Sequence, residues 1–173
     1  AASPFELDPA GPLRSAMRRL REVRADDPRL SAHAARLGSA RVGLLPTLAM
    51  VSSGMDWVEN PWSWPAARLI DPALVHEPLE PATGRWKPDS PFAGLARSVP
   101  SWILLERAYV SAGAKYLAGS GTQAMGTLPG VALHIELEIM VRELGLTPRQ
   151  ALAAATGNYA AIYGWADAGL ITP

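Results

Sequence analysis

The stretch GAKYLAGSGTQAMGTLPGVALHIELEIMVRELGLTP, Gly113 to Pro148, decides how this chain is read. AKYLAG has the length and apolar content of a short strand. GVALHIELEIMVRELG reads as a helix with Leu133, Leu137, Met140, Val141 and Leu144 on one side. Between them lies the turn Gly119-Ser120-Gly121-Thr122. A strand, a glycine-rich turn and a helix is the arrangement in which α/β proteins place ligands and chemistry.

Downstream, Thr147-Pro148-Arg149-Gln150 has the form of a capping box, with Thr147 capping the helix PRQALAAAT and Gln150 reaching back. Asn158 is placed to cap YAAIYG, with Gly164 as its stop. Upstream, SWILLERAYVSAG reads as a helix ending at Gly113. RVGLLPTLAM, residues 41–50, is short and nearly all apolar, as a parallel strand covered on both faces would be. Pro46 removes a ladder donor, so regular pairing is expected to stop there. Before it, Pro12 opens a helix whose stripe is Leu13, Met17, Leu20 and Val23. Asp27-Pro28 begins a second helix that Gly38 would end.

Residues 51–100 carry eight prolines and Trp57, Trp62, Trp64 and Trp86, with no helical or strand period. Two readings stand for this long insertion: a wrapping surface segment whose tryptophans are pinned to the body, or a lid facing substrate.

The totals bound the function. The 173 residues suit one domain, residues 1–173, and 49% hydrophobic with 18% charged residues suits a folded core. Acidic and basic residues number 16 each, so no net charge draws the chain to nucleic acid or an anionic membrane. Residues 14–41 hold eight arginines against three acids. Without aromatic interleaving they read as a solvated helix face rather than a nucleic-acid patch. No apolar run reaches the ~20 residues of a membrane span. The absence of cysteine excludes disulfides and thiolate metal sites and leaves the compartment open. The first residues do not read as a signal peptide.

PTLAM, RAYVSAGAKYLAGSGT, GVALHIELEIMVRELGLTPRQALAAATGNYAAIYG and GLITP together resemble the last quarter of the amidohydrolase superfamily, closest to its imidazolonepropionase- and prolidase-like branch. The resemblance covers residues from about 26 to 173, interrupted by the tryptophan-rich insertion. It implies an α/β fold that is the C-terminal portion of a TIM-like (β/α)8 barrel. Val42–Met50 would be the seventh strand and Lys115–Gly119 the eighth. It also implies hydrolysis of amide or other C–N bonds in a small-molecule, peptide-like substrate. A divalent metal, zinc above others, would activate the water in the complete enzyme. The remainder of the barrel, from missing sequence or another chain, would be the partner.

The family's eighth strand ends in Gly-Thr-Asp or Gly-Ser-Asp, and that Asp binds metal and activates water. Gly121 stands at that position, and glycine offers neither ligand nor base. Either the correspondence shifts here or this polypeptide lacks the decisive carboxylate. The family's first-strand His-x-His pair has no counterpart, and the expected metal set of this chain alone is none. Ser120, Thr122, Gln123 and His134 are the substrate-pocket candidates. Gly119–Gln123 would form a substrate-facing floor or backbone donors to an oxyanion, or else a tight turn that needs glycine. His134 would face the pocket mouth or pair with Glu138 at i+4. His33, His76 and His134 are too scattered for a metal site, and Ser120 has no paired His.

The alternative function is a non-catalytic relative of the barrel enzymes, retained for binding. Two parallel strands alone would leave both outer edges open, which predicts contact with another polypeptide.

Overall fold

The computed structural model describes residues 18–40, 42–71, 79–90, 92–122 and 124–169. The expected helix opening at Pro12, Leu13 and Met17, and likewise His76, Gln123 and the end of GLITP, lie outside those residues. Residues 18–21 are helical, and Leu20 and Val23 are buried as their stripe requires.

Asp27 begins α1 (Pro28–Ser39), its carboxylate accepting from the Arg29 N–H at 2.9 Å. Leu30 and Ala34 are the buried residues of this helix. Contrary to the expectation from sequence, Gly38 does not end it. The helix runs through Gly38 to Ser39, and a Cβ at Gly38 would lie 1.9 Å from the Ala112 carbonyl oxygen. The glycine is there because α1 crosses the end of another helix, α2 (Val99–Ser111), at backbone contact distance.

The sheet proper is two short parallel strands, β1 (Gly43–Leu44) and β4 (Lys115–Tyr116), with α2 between them in sequence. Gly43 faces Lys115, Leu44 faces Tyr116, and the Leu117 N–H donates to the Leu44 carbonyl at 2.8 Å. The parallel adjacency read from sequence is observed. Each strand is shorter than expected, because Pro46 ends pairing and Leu48–Gly54 coils into a 3₁₀ helix.

The outer edge of β4 is not open, which corrects the expectation of two unpaired edges. The Asn158 side-chain amide donates to the Tyr116 carbonyl at 2.9 Å. The Ala118 N–H donates to the Ala154 carbonyl at 2.9 Å, and the Tyr159 hydroxyl to the Ala118 carbonyl at 2.8 Å. Asn158 is therefore a bridge to the strand and not a helix cap; its helix, α5 (Gly157–Tyr163), follows Thr156. Beside β1, Val42 and Leu45 are 45% and 49% exposed.

The described residues of 51–100 hold more regular structure than their lack of periodicity suggested. They hold 3₁₀ helices at Pro61–Ser63, Pro65–Leu69 and Ala93–Ser98. They also hold an antiparallel hairpin of β2 (Leu79–Glu80) and β3 (Arg85–Trp86). Trp86 is buried and its indole N–H donates to the Met125 carbonyl at 3.2 Å. Trp57 donates to Glu143 Oε1 at 2.6 Å and lies under the Arg142 guanidinium, 4.8 Å away. The Arg85 guanidinium donates to the carbonyls of Ser53, Met55 and Asp56 at 2.8, 2.7 and 3.1 Å. These contacts pin the described parts of the segment to the body, as the first of its two readings expects, while Val51 and Leu95 line a cleft, as the second would have it.

α3 (Val131–Arg142) is the central helix. Its buried face is Ala132, Ile135, Glu136, Ile139 and Met140, rotated from the expected stripe. Leu133, Leu137 and Val141 are only partly buried. The helix is covered from two sides, by the Leu48–Gly54 turn and by α4 (Pro148–Ala154), so no single apolar stripe describes it. The capping box of α4 is present in both halves. The Gln150 N–H donates to Thr147 Oγ1 at 3.3 Å, and the Thr147 N–H to Gln150 Oε1 at 2.8 Å. The protein is thus a mixed α/β fold rich in helix, built around a minimal parallel pair.

Candidate functional site

The C-terminal ends of β1 and β4 meet. A Cβ on Gly119 would stand 2.9 Å from Leu45 Cδ1 and 3.2 Å from Thr47 Cγ2. Gly121 has φ +55°, and a Cβ there would stand 2.4 Å from Met50 Cγ. Any larger residue would have to push the Met50 side chain aside. The glycine turn therefore packs closely against the side chains of Leu45, Thr47 and Met50, and this packing accounts for both of its glycines.

The turn also satisfies its own polar groups. Ser120 Oγ and Thr122 Oγ1 hydrogen-bond each other at 2.6 Å, and the Thr127 hydroxyl donates to the Gly121 carbonyl at 3.0 Å. Ser120 and Thr122 are thus brought together, whereas His134 is not brought to them. His134 is exposed, two residues from buried Glu136, and positions i and i+2 of a helix point to opposite sides. Glu138 pairs with Arg142 at 2.8 Å rather than with His134.

The residue that organises this end of the sheet is Glu136, which was not singled out from sequence. It is 0% exposed, and its Oε2 accepts the Ala49 N–H at 2.6 Å. The N–H groups of Leu48 and Thr47 also favour its charged form. Burial outweighs them and pushes its pKa up to about 7, with the Glu106 charge adding to the rise. Oε1 accepts no hydrogen bond among the described residues. The carboxylate holds a strained turn: Thr47 sits at φ 49°, ψ 45°, a left-handed conformation costly for a branched residue.

A second carboxylate, Glu106 on α2, accepts the Tyr116 hydroxyl at 2.5 Å. Burial raises its pKa, and the tyrosine hydrogen bond partly offsets that. Burial and the Glu106 charge push Tyr109 up to about 12, and raise Tyr116 as well. Glu106 opens onto a cleft of about 360 Å³ lined by Pro46, Thr47, Leu48, Met50, Val51, Leu95, Trp102 and Met125. That volume falls in the roughly 300–1,000 Å³ range of small-molecule sites. A signal for both carboxylates was present in the sequence: each is an acid inside an apolar helical run, ILLERAY and LHIELEIM.

A divalent metal of the kind the amidohydrolase resemblance implies finds no donor set here. Among the described residues no three His, Asp or Glu converge. An aspartate at Gly121 would need both a strained backbone and a displaced Met50. The described residues do not fit the metal. The arrangement can instead bind and orient, with an apolar pocket, one accessible carboxylate and a rigid floor. No protein-family model, no curated protein and no solved structure matches the chain.

Proposed function

We propose that the chain forms the C-terminal part of an amidohydrolase-type barrel whose complete protein hydrolyses amide or other C–N bonds. The supporting observation is the parallel β1–β4 pair with α2 between its strands in sequence, and a cleft where the strands end. That is where barrel enzymes hold their substrates. In this reading β1 and β4 are the last two barrel strands. The remaining strands, with the zinc or other divalent metal, come from sequence outside this stretch or from another chain. This chain's share is the wall of the substrate site: apolar contact from Trp102, Leu95 and Met125, and a hydrogen-bond acceptor at Glu106 for the substrate N–H.

A second reading, a non-catalytic barrel relative that binds ligand without turning it over, is favoured by Gly121. The glycine is fitted into its packing at the place of the family's water-activating Asp.

The intact mass of the natural protein separates the readings. A mass well above the 18.4 kDa of this chain, with a His-x-His pair in the added sequence, supports the hydrolase. A natural product of 18.4 kDa, which has no such pair, overturns it and leaves the binding reading.

A further inference from the structure

We propose that the cleft at the ends of β1 and β4 takes a ligand bearing an ammonium group on an apolar body, and that Glu106 and Trp102 select for that positive charge. The inference names the substrate class of the site proposed above and rests on that reading for the site's place in catalysis.

Among the described residues neither Glu106 nor Glu136 forms an ion pair with Lys, Arg or His. Two carboxylates thus share one end of the fold without a cation, and the Glu106 charge is felt at Glu136. Glu136 is sealed in and held by backbone N–H groups. Glu106 is half-buried and lines the cleft, and among the described residues its carboxylate has one hydrogen bond, from the Tyr116 hydroxyl to Oε2. Its remaining lone pairs are available to a donor in the cleft.

The walls suit the rest of such a ligand. Trp102 is one helical turn before Glu106 on α2, so the indole and the carboxylate lie on the same side of the helix. Both line the cleft with Met50, Leu95 and Met125. An ammonium beside a carboxylate and an indole gains a charge-assisted hydrogen bond and a cation–π contact at once. A neutral alcohol of the same shape can donate one hydrogen bond to the carboxylate but brings neither a compensating charge nor a cation–π contact. An anionic ligand is repelled.

The test compares 2-phenylethylammonium with its neutral isostere 2-phenylethanol by isothermal titration calorimetry on the full chain at pH 7.5. The ammonium is expected to bind at least about tenfold tighter, since it adds an ion pair and a cation–π contact to the single hydrogen bond that the alcohol can donate. Glu106→Gln should bring the two affinities within about twofold. Leu95→Trp, which puts a larger side chain at the cleft wall and leaves both carboxylates in the sequence, should abolish binding of both probes. It also keeps the site testable should Glu106→Gln fail to fold. Equal affinities in the native chain, no binding of the ammonium, or ammonium binding unchanged by Leu95→Trp would each overturn the inference. Binding is read here without turnover, so it can fail while hydrolysis by the complete protein stands, and the reverse.

Discussion

Glu136 Oε2 accepts the backbone N–H of Ala49 at 2.6 Å, across 87 positions of sequence. One fully buried carboxylate on α3 thereby fixes the turn that leaves β1, including Thr47 in its left-handed conformation. That turn carries the cleft wall and receives the glycine turn after β4.

The pH dependence follows from this carboxylate. Its folded pKa of about 7 lies above the ordinary 4.5, so between those values the folded state holds a proton that the unfolded state has released. Its contribution to stability is fully present below about pH 4.5 and is lost as pH rises through about 7. At ~1.4 kcal/mol per unit the swing is on the order of 3 kcal/mol. Denaturant melts from pH 5 to pH 8 should show stability falling, and Glu136→Gln should flatten the curve. A native profile that rises over this range would contradict the assignment.

Gly121→Asp places a carboxylate where the amidohydrolase resemblance would put one. The φ of +55° and the clash with Met50 predict a loss of about 1–3 kcal/mol and no gain of bound zinc. Adding Met50→Ala should relieve the steric part, leaving the backbone part. Thermal melts with metal analysis read both outcomes; stoichiometric zinc in the single variant would refute the account of this glycine.

The wrap is held by Arg85. Its guanidinium serves three carbonyls of the segment before the hairpin. Arg85→Ala should cost about 2 kcal/mol and speed proteolysis within residues 51–71. Lysine should not restore it, because one ammonium cannot span a planar fork of donors. Unchanged proteolysis would show that the tryptophans alone hold the segment.

Thr147→Ala removes the acceptor of the capping box and should cost about 1 kcal/mol. Gln150→Ala should cost less, since water can reach the exposed Thr147 N–H. Urea melts of the two variants give the comparison directly, and a Thr147→Ala change near zero would remove the box from the account.

Local chemistry was readable from the sequence where it was complete within a few residues. The cap at Asp27, the box at Thr147 and Gln150, and the strand-ending Pro46 are all of this kind. The parallel pairing of β1 with β4 was also legible, because two short apolar strands separated by a helix have few alternatives. What needed the fold was long-range. Gly38 looks like a helix stop until the Ala112 carbonyl is seen at its Cα. Asn158 looks like a cap until it reaches Tyr116. The buried face of α3 was misplaced because Glu136 counts as polar in any periodicity, although backbone N–H groups from β1's turn allow its burial. The cleft and its carboxylate belong to the same class, since Glu106 gains its meaning from Tyr116 and the turn after Pro46.

We propose that this chain supplies one wall of an amide-hydrolysing site and does not turn over substrate alone. The most direct measurement is amine release from a panel of small N-acyl amines, by the natural full-length protein and by the 173-residue chain, each with added zinc. The account predicts release by the full-length protein, loss of that release with Leu95→Trp, and none by the chain alone. Release by neither protein, or equal release by the chain alone, would contradict it.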